Sequence, residues 1–105
     1  MTVAARDSVR EDLIQALELG TVQTISVTNS SAATSSAMAS GSRVVRVVST
    51  TDCHILFAAS PTATTSSTYL PANQVEYFKV PVLGTSKLAA IRANADGTLY
   101  VTEMA

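Results

Sequence analysis

Apolar and polar residues alternate along this chain in short runs rich in Val, Ile and Thr, a pattern that predicts β-strands. The predicted strands are Thr21–Thr28, Arg43–Thr50, Cys53–Ala59, Val75–Val82, Lys87–Ala93 and Thr98–Glu103. A further short strand is predicted near Tyr69. Since no helical pattern separates the strands, a parallel α/β sheet is excluded. We predict an all-β fold, a single small antiparallel β-sandwich or barrel of about six to seven strands.

Turn residues predict how some of these strands are connected. Asn94–Gly97 joins the last two strands, and Asp-Gly between alternating runs is a strong hairpin signal. We expect Gly97 to adopt the positive φ that such a turn needs. Thr51 and Asp52 predict a second hairpin, between the strands on either side of them. Pro81 cannot donate to a ladder, so it predicts an edge strand or a strand end.

Residues 1–20 differ from the rest of the chain because they are rich in charged side chains. Asp7 or Ser8 is a candidate N-terminal cap for a short helix that ends at Gly20. The apolar stripe of this helix consists of Leu13, Ile14 and Leu17. The alternative is an arm that becomes ordered on a neighbouring subunit. We therefore divide the chain into an N-terminal arm or short helix, 1–20, and a β-sandwich domain, 21–105.

A low-complexity run of small residues, NSSAATSSAMASGS, occupies residues 29–42. It has few bulky side chains with which to offset the entropy of ordering, so it predicts a flexible loop. Long loops of this kind are often functional. Residues 1–20 and 29–42 are therefore our candidate partner contacts.

The composition favours a protein with a large contact surface. Hydrophobic residues make up 47% of the chain and charged residues 14%, whereas about a quarter of the residues are charged in an average soluble domain. The formal net charge is −1 and the seven basic residues are scattered, so we expect no nucleic-acid partner. The sequence has no apolar run of about 18 residues, so we expect no membrane span. No signal-peptide profile is visible either. We expect synthesis in the cytoplasm.

Candidate catalytic and metal-binding residues do not form a convincing set. Cys53 and His54 are adjacent on a predicted strand, so their side chains project to opposite faces and cannot form a dyad. We expect Cys53 to be buried. Glu76 and Glu103 lie on different strands that can be neighbours, and Asp96 belongs to a turn, where it can bond local backbone. We predict that the protein is not an enzyme and has no catalytic, cofactor or metal site.

The large aromatic side chains of the C-terminal third are a candidate ligand platform, formed by Tyr69, Tyr77 and Tyr100. Tyr77 and Phe78 are adjacent on a strand and point to opposite faces, so they cannot both line one platform. We favour packing roles, with Phe78 in the core and the tyrosine hydroxyls at its rim.

Three segments carry a resemblance to a known family. They are TTDCHILFAAS (Thr50–Ser60), YLPANQVEYFKV (Tyr69–Val80) and SKLAAIRANADGTLYVTEM (Ser86–Met104). Together they resemble a group of small β-sandwich virion structural proteins of tailed bacteriophages. The resemblance covers residues 43–105 and does not extend to residues 1–42.

The resemblance implies a capsid decoration (cement) protein that binds and stabilises the major capsid lattice. The expected partners are the major capsid protein or other virion proteins, and the expected state is a homo-oligomer on the capsid surface of the virion, made in the host cytoplasm. One alternative is a head–tail joining, neck or tail component. A further alternative, from the residues alone, is a small ligand- or glycan-binding β-module that uses the tyrosines and the Thr/Ser-rich loop at 60–68.

Overall fold

The computed structural model of the protein describes residues 17–105. This part of the chain forms eight β-strands and no helix. They are β1 (Leu19–Val27), β2 (Ala32–Ala33), β3 (Val44–Ser49), β4 (Cys53–Ala58), β5 (Thr68–Leu70), β6 (Glu76–Lys79), β7 (Lys87–Arg92) and β8 (Gly97–Met104).

The strands form two antiparallel sheets of four strands each. Sheet A has the order β1-β8-β3-β6, and sheet B has the order β2-β7-β4-β5. Successive strands alternate between the sheets, except that β4 and β5 are neighbours within sheet B. This is the strand order of the eight-stranded jelly roll, a double sheet built from two Greek keys. The predicted all-β fold is therefore confirmed in its sandwich form, with eight strands in place of the six to seven that the sequence predicts.

One hydrophobic core lies between the two sheets. Along β3 the residues alternate between fully buried and partly exposed, as expected for a strand with one face on the core. Sheet A and sheet B both contribute to the same cluster of buried side chains, which includes Ile25, Val45, Val47, Leu99, Ile55, Leu70 and Leu88. At the β5–β6 side of the sandwich, Phe57 of sheet B meets Phe78 of sheet A edge to face, with ring centroids 6.2 Å apart. Phe78 thus packs against the core, as predicted.

Both predicted hairpins are wrong. β3 and β4 lie in different sheets, and so do β7 and β8, so the turns between them carry the chain from one layer to the other. Gly97 does not have a positive φ; among the glycines of residues 17–105, that conformation occurs at Gly84. The chain does reverse direction at both turns, but a local turn signal does not say which sheet the next strand joins.

The first strand begins two residues earlier than the sequence pattern predicts. β1 begins at Leu19, so Gly20 is part of a strand and is not the cap of a helix. The rest of the predicted helix or arm, residues 1–16, lies outside the described residues. Pro81 behaves as expected, because β6 is an edge strand that ends at Lys79.

Candidate functional site

Cys53 and His54 lie on opposite faces of sheet B, as predicted. Cys53 is fully buried in the core. Burial raises the pKa of its thiol, as does the nearby charge of Asp52, while a hydrogen bond with Ser49 acts in the opposite direction. A protonated, buried thiol is a poor nucleophile. His54 donates from Nδ1 to the backbone oxygen of Ser67 over 2.9 Å, so its side chain is used in holding the loop before β5.

The acidic residues do not form a pair. Glu103 lies opposite Val45 and Glu76 lies opposite Val47, on the two sides of β3. The expectation that they can be neighbours is therefore wrong, because β3 separates β8 from β6. Asp96 binds the guanidinium of Arg92 over 2.6 Å rather than local backbone. Within residues 17–105, no group of three or more His, Cys, Asp or Glu side chains is arranged to hold a metal ion.

The three tyrosines are distributed over both sheets. Tyr69 is on β5 of sheet B, where its ring packs at 5.4 Å from the ring of His54. Hydrogen bonding to the Asp52 carboxylate raises the pKa of the Tyr69 hydroxyl. Tyr77 and Tyr100 lie on sheet A, on strands separated by β3. A single platform formed by the three rings, which the glycan-binding alternative needs, is absent.

The 29–42 segment is packed against its own sandwich. Its backbone bonds β7 through Ala32 and Ala33, which form β2, and Met38 is fully buried in the core. The side chain of Gln23 donates to the backbone oxygen of Ser36 and accepts from its N–H, each over 3.1 Å. The expectation that this segment is too poor in apolar side chains to pack is wrong. Its role as a candidate partner contact stays a prediction.

Glu103 fixes the end of the same segment. Its side chain points inward from β8 and is 5% exposed. One carboxylate oxygen accepts hydrogen bonds from the backbone N–H of Ala39, over 3.0 Å, and from the hydroxyl of Ser42, over 2.7 Å. This buried carboxylate therefore has a structural role, and the sequence pattern, which showed only an acidic residue on a strand, could not identify it.

Three exposed large apolar or aromatic side chains lie on the outer side of sheet A, those of Val22, Tyr77 and Tyr100. We define the outer face of sheet A by the residues whose positions alternate with those of the core residues of the same strands, namely Val22, Thr24, Val44, Arg46, Val48, Tyr77, Lys79, Tyr100, Thr102 and Met104. Thr102 and Met104 of this set are buried. The strand register places Val22, Thr102, Arg46 and Tyr77 in one row across the sheet.

This outer face is chemically uneven. Val22 is 55% exposed, and Tyr77 and Tyr100 are each 42% exposed. Its cations, Arg46 and Lys79, lie on the β3–β6 side, and its residues include no carboxylate. Tyr and Arg are enriched in protein–protein interfaces, and Lys and Glu are depleted. The face therefore has the composition of a protein-binding surface, with a complementary partner expected to be neutral or acidic.

Two small clefts flank β6. One, of about 120 Å³, opens between the sheets and is lined by Ile55, Leu56, Phe57, Thr68 and Phe78. The other, of about 310 Å³, is lined by Arg43, Lys79, Val80, Pro81 and Leu83. Ligand sites usually measure about 300–1,000 Å³ and have convergent polar groups. The first cleft is too small for such a site, and the second continues the basic side of the outer face.

Comparisons of the chain with protein-family models, with curated proteins and with solved structures found no match. Residues 17–105 contain no helix with the length and apolar character needed to cross a membrane. The function is therefore inferred from the fold and from the surfaces of residues 17–105.

Proposed function

We propose that the protein is a virion structural protein, a capsid decoration (cement) protein that binds the major capsid lattice through the outer face of sheet A. The observation that carries this proposal is the composition of that face, where exposed Val22, Tyr77 and Tyr100 accompany Arg46 and no carboxylate. Exposed apolar and aromatic side chains of this kind mark protein-binding surfaces.

The fold and the sequence resemblance support the same proposal. The eight-stranded jelly roll is an architecture of viral capsid domains, although lectins also use it. A lectin would need a concave site with convergent polar groups, whereas Tyr69 lies on sheet B and Tyr77 and Tyr100 lie on sheet A. An extended sheet face is better suited to many modest contacts, which a repeating lattice sums through avidity.

Copy number in purified particles tests the proposal and separates it from the neck or tail alternative. Quantitative mass spectrometry of particles from the parent phage would compare this chain with the major capsid protein. A decoration protein is expected at near-stoichiometric amounts, whereas a neck component is expected at about a dozen copies or fewer, because it follows the symmetry of a single ring. Absence of the chain from particles would contradict both assignments.

A pair of charge reversals then tests the proposed face. Arg46→Glu introduces a carboxylate at the centre of the outer face of sheet A. We expect it to raise the dissociation constant for particles at least about tenfold, the effect of roughly 1.4 kcal/mol, and so to lower occupancy when the protein is not saturating. Lys87→Glu makes the same charge change on β7 of sheet B and is expected to leave occupancy unchanged. Equal losses for both variants would contradict the assignment of this face.

A further inference from the structure

The four edge strands of the sandwich are protected to very different degrees. In sheet B, β2 has two residues and β5 has three, with Pro71 directly after it. In sheet A, β6 has four residues, of which Glu76 and Lys79 are charged. Short edges, charged side chains and prolines all discourage pairing with another chain. These three edges therefore carry the protections that isolated subunits normally have.

β1, the other edge of sheet A, carries almost none of them. It has nine residues, LGTVQTISV, without a charge or a proline. Its one irregularity is a register shift against β8 between Leu19 and Val22, so the strand is regular from Val22 to Val27. Within residues 17–105, β1 has backbone pairing with β8 alone. Its outer edge thus offers the row of N–H and C=O groups that templates strand addition.

This edge is also held in place before any partner arrives. The two hydrogen bonds between the Gln23 side chain and the backbone of Ser36 tie β1 to the 29–42 segment. Ile25 and Val27 anchor its inner face in the core. A preorganised edge loses little conformational entropy when it pairs.

We propose that β1 pairs antiparallel with β1 of a second copy of this chain, across a two-fold axis. An antiparallel edge is self-complementary, because a two-fold rotation places the same strand opposite itself in reverse direction. The uncharged sequence of β1 favours this occupant in particular. A charged residue near the axis would face its own copy, and like charges directly opposite destabilise strand pairs.

The alternation of side chains restricts the register of this pairing. Residues that face each other must lie on the same side of the sheet, so Thr24 can face Thr24 of the second copy while Val22 faces Ser26. The result is one sheet of eight strands, about 34 Å from one outer β6 to the other at 4.8 Å per strand. The two outer faces then form one continuous surface. The pairing stands independently of the proposed capsid role.

The first test is the oligomeric state of the full chain, measured by sedimentation at several concentrations. Wild type is expected to dimerise. Thr24→Lys, at an exposed position in the regular part of β1, is expected to raise the dimer dissociation constant at least about tenfold with an unchanged circular dichroism spectrum. The matched control is Tyr100→Lys, because Tyr100 lies directly opposite Thr24, on the same face and one strand further in.

The control separates edge pairing from face-to-face docking. Edge pairing predicts that Tyr100→Lys dimerises like wild type, whereas docking of two outer faces predicts that both variants are monomeric. A wild-type chain that is monomeric at every concentration would overturn the proposal, as would equal weakening by both variants. This experiment does not measure particle binding. If the dimer proposal fails here, the proposed capsid role is still tested separately by copy number.

Amide hydrogen exchange identifies which chain covers the edge. Pairing between copies predicts that outward-facing amides of β1 between Val22 and Val27 exchange more slowly as the protein concentration rises, while amides of β8 do not change. Protection of the β1 amides that is independent of concentration and persists in Thr24→Lys would mean that the same chain covers the edge, and that result would overturn the proposal. Thr24→Lys is expected to abolish the dependence on concentration.

Discussion

At the scale of single residues, a glycine is favoured at position 97 for a physical reason other than the one that the sequence predicts. Its sequence context predicted a hairpin turn with positive φ, but the residue instead starts β8, opposite Val27 of β1. A Cβ at this position would lie 2.6 Å from Cγ2 of Thr51 and 2.7 Å from Oγ1 of Thr50. Glycine fits this position because a Cβ would force the Thr50 and Thr51 side chains of the turn after β3 to shift.

We therefore expect Gly97→Ala to destabilise the fold by about 1–3 kcal/mol, the usual cost of overpacking. The displaced Thr50 hydroxyl also accepts a hydrogen bond from the backbone N–H of Thr98, over 3.0 Å, which adds to the cost. Urea denaturation gives the change in the free energy of unfolding. Gly41→Ala is the control, since no heavy atom lies within 4 Å of its added Cβ, and it is expected to change stability by less than about 0.5 kcal/mol. Equal effects of the two variants would contradict the close-approach explanation.

At the scale of elements, alternation predicted the longer strands because their side chains must face either the core or the solvent. It missed β2 and the packing of the 29–42 segment, because tertiary contacts rather than local pattern order these residues. Thr34, for example, donates its backbone N–H to the oxygen of Leu88 over 2.9 Å, and its hydroxyl accepts from the N–H of Leu88 over 3.3 Å. No local rule indicates that a Ser/Ala-rich run will find such partners.

Glu103 provides a test of how this segment is held. Glu103→Ala removes the acceptor of the Ala39 N–H and the Ser42 hydroxyl, and we expect a loss of about 1–3 kcal/mol in the free energy of unfolding, because buried donors are left unsatisfied. Glu103→Gln keeps a side-chain oxygen as acceptor and is expected to lose less.

Thermal or urea unfolding of the two variants measures the difference. Faster amide exchange at Ala39 in Glu103→Ala, with unchanged exchange in β4, would place the effect in the segment itself. If Glu103→Gln were as destabilised as Glu103→Ala, the negative charge rather than the acceptor geometry would be what holds the segment.

At the scale of the whole molecule, the sequence predicted the class of fold but not the order of its strands. Each β-strand pattern reports which side chains face the core, and says nothing of which strand lies beside it. The same limit applies to the site: the outer face of sheet A combines Val22, Arg46, Tyr77 and Tyr100 from four strands, so it exists only once the strand order is known. The prediction of a flexible loop at residues 29–42 missed the packing of this segment for the same reason, while its role as a partner contact stays a prediction.

The strand order makes the C-terminal strand the centre of the fold, and this gives a last prediction. β8 lies between β1 and β3, so a chain that ends at Asp96 leaves β1 without a strand partner and exposes the core side chains that Leu99 and Val101 cover. We expect this shortened chain to lack cooperative unfolding.

A synthetic peptide of residues 97–105 should restore cooperative unfolding by strand addition, whereas a scrambled peptide should not. Near-ultraviolet circular dichroism and urea titration follow the recovery. Cooperative unfolding of the shortened chain without the peptide would contradict a central role for β8, since a dispensable strand belongs at an edge.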